Sequence, residues 1–501
     1  MAVFPDRLSQ KLKTTFDPDF IQLLLLCILF VITIAVFFHL PLSLRLDEAQ
    51  SIWQTSFSLR RVLGIIAEDV HVPLYHILLY TWQAMLGNSV FSVRLFSLLF
   101  YIISIPIVYL IGKELYSKSV ATYAMILFSL SPALSWFGME TRMYTLFMFI
   151  SLGSTLFFIR ILKYGEVKNW LGYTFFCMLG IHTHYFFGLL LVSHMIFFLS
   201  NIPKNGLTKL PQFLCVALTV ILSFLPWLLY TYSLGAAENM RPLIYPPNSI
   251  DLFNLFSQMF FGFQGDELNS LILSLWPVIV LLIFFTLQKR VAESESLTFL
   301  MVMIFAPIII VFTVSLFLRP VFLSRYLLFV VPYVFILVSY IIHNYLKKFS
   351  SYLISALIVS MALALLVQVI NQDSQVHENY EQAVTVIEGR STARDVVVLT
   401  APFTIYPVEY YYTGSAKIKT FPLWNRDDAS GGTIPEFNPD TIADEFDRIS
   451  AHHEYMYVLM SYDQGYEEET LDYLDNTYQK LGVEIFSKGL SLHTYQLRYI
   501  E

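Results

Sequence analysis

The sequence predicts an α-helical polytopic membrane protein of about eleven transmembrane helices with a small α/β domain at its C-terminal end. Three observations carry that prediction. Hydrophobic residues make up 56% of the 501 residues and charged residues 14%, more apolar surface than a soluble core can hide. Apolar runs of about 17 to 25 residues, the length that crosses a bilayer, recur along the chain. After residue 370 the pattern changes to short alternating strands and helices with a charged surface. The domains expected are therefore 1–370 and 371–501.

Taken in order, the first run, 20–42, is too long for a signal-peptide core and lacks a small-residue cleavage site, so it is read as retained. Further spans are predicted at 91–112, 119–137, 143–162, 170–183, 185–201, 212–231, 271–288, 297–318, 326–345 and 352–370. An odd count puts the two ends on opposite sides. The apolar run 72–86 is short and follows Glu68, Asp69 and His71, and a crossing there would invert every later loop. It is expected to lie along the membrane surface, with Pro73 in its first turn, where the missing N–H costs nothing. It then belongs to a large outer loop, 43–90. A second outer loop, 232–270, holds an apolar stretch at 250–263 (Leu252, Phe253, Leu255, Phe256, Met259, Phe260 and Phe263) of the kind that lies in an interface and could hold a lipid tail.

Short cytoplasmic loops carry an excess of basic residues. Lys11, Lys13, Lys113, Lys118, Lys163, Lys168, Lys204, Lys209, Lys289, Lys347 and Lys348 share one side if the N-terminus is cytoplasmic. The opposite loops contain arginines and no lysine: Arg45, Arg60, Arg61, Arg142, Arg241, Arg319 and Arg325. Arginine suits bidentate binding of phosphate, so these outward residues form the functional set. The net charge of −7 comes mostly from the last quarter, in runs such as Glu467-Glu468-Glu469, and reads as a solvated face. Cys27, Cys177 and Cys215 fall in apolar segments, are expected to be buried thiols, and offer no disulfide framework.

Beyond residue 370, strands are predicted at 395–400, 417–422, 455–460 and 493–499, and helices at 407–412, 442–452 and 468–481. Their alternation fits a three-layer domain. The Gly/Asp/Pro-rich 425–439 segment is expected to be a surface loop or lid, and no glycine-rich phosphate motif follows any strand.

The candidate chemistry starts at Arg45-Leu46-Asp47-Glu48, two adjacent carboxylates just beyond the first span. A carboxylate near lipid costs about 2.5 to 3.5 kcal/mol on insertion scales, so its presence there asks for a reason. A structural reading stands beside the catalytic one: both could cap a helix beginning near Ala49, favoured by the macrodipole. Glu48 could orient Arg45 or Arg60 through an ion pair, Glu140 and Arg142 could anchor a helix end, and Arg325 could snorkel to the headgroups. His71, His76, His182 and His184 invite a metal, yet none shows a His-x-x-x-His or Glu-x-x-His pattern. A divalent cation, Mg or Mn, is open but unsupported, and no metal ligand is assigned.

Five motifs stand in order: Arg45-Leu-Asp-Glu48, His71-Val-Pro-Leu-Tyr75-His76, Val93-Arg94-Leu95, Glu140-Thr-Arg142-Met-Tyr144 and Ser324-Arg325-Tyr326-Leu-Leu. Over roughly the first 350 residues the chain resembles the C-type integral-membrane glycosyltransferases, near the protein O-mannosyltransferases, aminoarabinose transferases and bacterial lipopolysaccharide-sugar transferases. The resemblance implies that fold in the cytoplasmic (inner) membrane, with the C-terminal domain outside. It implies transfer of a sugar from a polyprenyl-phosphate donor, in a mannosyltransferase-like reaction, to a glycan, lipid or protein hydroxyl. No nucleic-acid partner is expected. The catalytic candidates are Asp47, as general base of an inverting displacement, and Glu48, which a direct displacement does not require as a nucleophile. Arg325, then Arg142 and Arg241, are candidates for the donor phosphate, and Glu140, Tyr144, His71, Tyr75 and Tyr326 for substrate contacts. A multi-pass transporter or flippase and a membrane-anchored scaffold remain as alternatives; a transporter should show internal repeats and charges at mid-membrane.

Overall fold

The computed structural model describes residues 18–69, 71–201, 207–234, 245–263, 295–370, 378–426, 434–435 and 437–497. Arg241 and the span expected at 271–288 lie outside them. Among the described residues seven helices are long and apolar enough to cross a membrane: Pro18–His39, Val90–Leu115, Tyr144–Tyr164, Leu207–Ser233, Glu295–Phe317, Ser324–Asn344 and Lys347–Ile370. Shorter apolar helices, Lys118–Leu130 and Phe187–Ser200, and the helix Val167–Ile181 stand where further spans were expected. One expectation is corrected. The run 119–137 is not one helix, because Ser131 takes an extended conformation before Pro132 and caps a separate short helix, Pro132–Phe137.

The helix Tyr144–Tyr164 sits at the centre, with 78% of its most apolar window buried. It packs against Val90–Leu115 on one side and Val167–Ile181 on the other. The second contact is made close by a reciprocal device: a Cβ on Gly153 would lie 2.4 Å from the Phe176 ring, and one on Gly172 would lie 2.6 Å from the Phe157 ring. Small residues let helices approach where lipid supplies no hydrophobic drive of its own. Cys27 and Cys177 are buried, whereas Cys215, expected to be buried, is exposed on the Leu210–Ser233 helix.

The run 72–86 forms the helix Pro73–Leu86, with Pro73 in its first turn and Tyr75, His76 and Leu79 turned inward. The apolar stretch at 250–263 forms the helix Ser249–Phe261, which buries Phe253, Leu255 and Met259 and packs on Pro132–Phe137 and Ser350–Ile370. It is packed into the helical bundle.

The C-terminal sheet has the order β2-β1-β3-β5-β4, with β1 Val396–Leu399, β2 Lys417–Thr420, β3 Tyr455–Ser461, β4 Gln479–Ser487 and β5 Leu490–Gln496. β1 runs parallel to β2 and β3, while β5 is antiparallel to β3 and β4. Strand alternation builds two cores. Val396, Val398, Met456 and Val458 pack under the helices Ile442–Ser450 and Glu467–Thr477, while Val397, Leu399, Tyr457 and Leu459 pack under Tyr380–Arg390 and Ile405–Tyr411. The expected helix 468–481 stops at Thr477, and the residues after it enter β4, which pairs with β5 around Gly489 at φ 78°. Strand β4 is not among the expected strands: Leu481, Val483 and Ile485 alternate with polar neighbours, but the pattern begins where the expected helix 468–481 ends, and these side chains lie exposed on an edge strand.

This region docks on the membrane part through side chains. The Tyr411 hydroxyl accepts from Leu44 N–H at 2.8 Å, the Tyr410 hydroxyl donates to the Asn88 carbonyl at 3.0 Å, and Tyr406 packs on Trp53.

Candidate active site

The helix Leu46–Gln54 begins immediately after the first span, with Arg45 as its N-cap. Its first turn decides where the two carboxylates go. Glu48 reaches back to accept the Arg45 N–H at 3.0 Å, the half of a capping box that a guanidinium at the N-cap leaves possible. The same carboxylate accepts from Arg94 Nε at 2.9 Å and Nη2 at 2.7 Å, and from the Thr141 N–H at 3.1 Å. Arg94 spends its remaining donors on the carbonyls of His39, Leu42 and Ser43, at 2.7, 2.7 and 3.0 Å. Glu48 is 1% exposed and Arg94 4%. The ion-pair partner expected for Glu48 was Arg45 or Arg60; the structure makes it Arg94, because Glu48 faces inward toward the start of Val90–Leu115.

Asp47, one residue earlier, points the other way and is half-buried. Arg325, in the helical turn Ser324–Val330, places Nη1 3.4 Å from its carboxylate. Arg142 lies in the segment between Pro132–Phe137 and Tyr144–Tyr164 and donates from Nη1 to the Asp47 carbonyl at 3.4 Å and to Ser51 Oγ at 3.3 Å. Its Nη2 meets His71 Nε2 at 3.1 Å. Burial alone would raise the Asp47 carboxyl, but Arg142, Arg325 and Arg45 overcome it and hold the group down at about 2. Asp47 is therefore a carboxylate at every physiological pH. Burial, reinforced by Arg142, pushes His71 down to about 3, so it is neutral and accepts from Arg142.

Glu140 differs. It is 3% exposed, its nearest cation is Arg45 at 3.4 Å, and neither of its oxygens receives a hydrogen bond. Burial outweighs Arg45 and pushes its carboxyl up to about 7. Arg45 is shared: its Nε lies 3.4 Å from Glu378, a residue at the edge of the C-terminal region, whose other oxygen accepts the Leu46 N–H at 2.9 Å. A cavity of about 460 Å³ opens beside this group, walled by Arg45, Trp136 and Glu140 below and by Glu378 and Gln382 above. Asp47 does not line it.

The expected site residues thus gather unequally. Asp47, Arg142, Arg325, His71 and Glu140 converge. Tyr326 packs near His184, at 5.3 Å between rings, and near Tyr144, at 6.5 Å, forming an aromatic wall beside Arg325. Tyr144 is buried, with a hydroxyl that has no hydrogen-bond partner. Tyr75 sits in the core against Phe96 and His76 and presents no open surface. Two residues were missed. Arg94 had a signal, the charge in the motif Val93-Arg94-Leu95 at a span start; Glu378 had none, being 332 positions from Leu46. Among the described residues no group of three His, Cys, Asp or Glu side chains could hold a metal ion.

Residues 70–230 match a family model described as dolichyl-phosphate-mannose-protein mannosyltransferase. No curated protein matches the sequence. Among solved structures, ArnT from Cupriavidus metallidurans in the apo state is 10% identical, covers 95% of this chain and 97% of its own, and superposes with a TM-score of 0.61. The same protein bound to undecaprenyl phosphate is 10% identical, with a TM-score of 0.58 over 96% and 98%. The Archaeoglobus fulgidus oligosaccharyltransferase, tethered to an acceptor peptide through a disulfide, is 10% identical with a TM-score of 0.53 over 87% and 68%. The fold is the C-type integral-membrane glycosyltransferase fold, ArnT-like along nearly the whole chain, and the chain is a multi-pass membrane protein.

Proposed function

We propose that this chain transfers one sugar from a polyprenyl-phosphate donor to an acceptor hydroxyl at the outer face of the cytoplasmic membrane. The observation that carries the reading is the ionised, half-buried carboxylate of Asp47, set among guanidinium groups just beyond the spans, with Arg325 at 3.4 Å. The family model and the shared fold support it, as does the undecaprenyl phosphate held by one of the related structures.

In the proposed reaction the acceptor oxygen forms a bond to the anomeric carbon as the bond from that carbon to the phosphate oxygen breaks. The electron pair leaves on the phosphate, and the acceptor's proton passes to Asp47. The products are the glycosylated acceptor and polyprenyl phosphate. One displacement inverts the anomeric centre and uses one base. Arg325 and Arg142 stabilise the charge that grows on the leaving phosphate. Held at about 2, Asp47 is a weak base while Arg325 pairs with it. A donor phosphate that engages Arg325 relaxes that hold and raises the basicity of Asp47 when it is needed. Glu48, whose carboxylate is filled by Arg94 and Thr141, is assigned a positioning role, and Tyr144 and Tyr326 the donor side of the pocket. No divalent cation enters this scheme, and transfer that persists in a chelator agrees with it.

A transporter reading has less to rest on: in the described spans, Asp, Glu, Lys and Arg stand only near helix ends. The deciding experiment is transfer by purified protein in liposomes, from labelled polyprenyl-phosphate sugars to membrane extract, starting with the mannosyl donor. Transfer from one donor that disappears in Asp47→Asn supports the assignment. Absence of transfer from every donor overturns it.

A further inference from the structure

The cavity of about 460 Å³ is lined by Glu140 and not by Asp47, and it falls within the range of about 300 to 1,000 Å³ typical of ligand pockets. Its lower wall belongs to the membrane part and its roof to the C-terminal region. We propose that this cavity is a subsite for a neutral, hydroxyl-rich sugar of the acceptor, gripped by Glu140 from below and Gln382 from above. The proposal rests on the transferase reading and names the acceptor class for it.

Three observations lead there. First, Glu140 is 3% exposed, yet neither carboxylate oxygen receives a hydrogen bond. A buried acceptor left unfilled is costly, and adjacent sugar hydroxyls offer two donors at the spacing of a carboxylate. Second, the charge is wrong for phosphate. Glu48 and Arg94 neutralise one another at 2.7 Å, which leaves Glu140 and Glu378 facing Arg45 alone. Arg142 and Arg325, the cations suited to a phosphate, do not line the cavity. Third, Trp136 and Phe486 add apolar faces among these polar groups, the mixture by which a pocket orients an amphipathic ligand such as a sugar ring. Burial, which pushes Glu140 up to about 7, lets it donate as well as accept near neutral pH.

Gln382 supplies the test, because it is exposed and a large side chain there fills the cavity without disturbing a core. Full-length protein in lipid nanodiscs is titrated with methyl mannoside, methyl glucoside and methyl galactoside, followed by saturation-transfer NMR. Glucose 1-phosphate serves as the anionic competitor. The expected result is binding of at least one neutral glycoside, weakened by about tenfold or more in Gln382→Trp, retained in Asp47→Asn, and not displaced by glucose 1-phosphate. In the transfer assay the same Gln382→Trp change raises KM for the acceptor and leaves KM for the donor unaltered. No binding of any neutral glycoside, equal binding by Gln382→Trp, or displacement by the phosphate sugar overturns the proposal. Loss of the transferase reading is distinguishable, since it removes transfer from every donor and leaves glycoside binding in place.

Discussion

Asp47 faces arginines and solvent, while Glu48, the next residue, is sealed into a hydrogen-bonded pair with Arg94. The two carboxylates therefore answer differently to the same chemical change. Asp47→Asn keeps the size of the side chain and removes its charge and basicity. It is expected to lower kcat by about 10² to 10⁴ while thermal unfolding changes little, as checked by transfer and melting of the same preparations. Glu48→Gln leaves Arg94 buried without its counter-charge, which costs about 3 to 5 kcal/mol. A large drop in melting temperature, or loss of folded protein, is the expected outcome, and an unchanged melt would count against the pairing. Glu140 gives a pH signature. The fold raises its carboxyl from 4.5 to about 7, so the folded state favours the protonated form. Stability from this group is highest below pH 4.5 and falls as pH rises toward 7. The melting temperature of Glu140→Gln, measured against pH, should therefore gain on wild type across that window; parallel curves would refute the raised value.

At the scale of elements, the helix Leu46–Gln54 is the part that carries the site, and its N-terminus is held from outside the membrane part. Glu378 accepts the Leu46 N–H and pairs with Arg45, while Tyr462 donates to the same carboxylate. Glu378 is a positioning residue under this reading. Glu378→Gln keeps an acceptor for Leu46 but weakens the grip on Arg45. It should lower kcat by about tenfold with both KM values nearly unchanged, whereas Glu378→Asp should recover part of the loss. A change confined to KM would assign Glu378 to substrate binding instead. The turn Ser324–Val330, which opens the span Ser324–Asn344, does the corresponding work for Arg325 and brings its guanidinium to Asp47.

At the scale of the molecule, the ionic groups divide between two ends of the bundle. Val90–Leu115 spans them, with Arg94 at the Asp47 end and Glu114 at the other, where Arg160 and Lys163 pair with it. Twenty residues of helix separate the two by about 30 Å, a bilayer's apolar thickness. With the native cysteines replaced, a cysteine at Asp463 in the C-terminal region should react with an impermeant thiol reagent added outside intact cells, and one at Lys168 should not. The reverse pattern would invert the orientation drawn from the lysines.

Much of this was legible in the chain alone. Apolar runs dictate helices where a bilayer is the solvent, because every backbone polar group must be satisfied within the segment. That logic located Val90–Leu115 and Tyr144–Tyr164 to within a few residues, and the short apolar run Val396–Leu399 located the sheet. Asp47, Arg142 and Arg325 were legible as charges that an apolar context does not tolerate without a reason. Only tertiary structure decided which carboxylate met which arginine. A helix turns about 100° per residue, so Asp47 and Glu48 leave the same turn toward different neighbours, and no local pattern says which neighbour waits on each side. The reach of Glu378 to Leu46 and of the Ser131 hydroxyl to the Met259 carbonyl were settled the same way, by contacts between segments far apart in sequence.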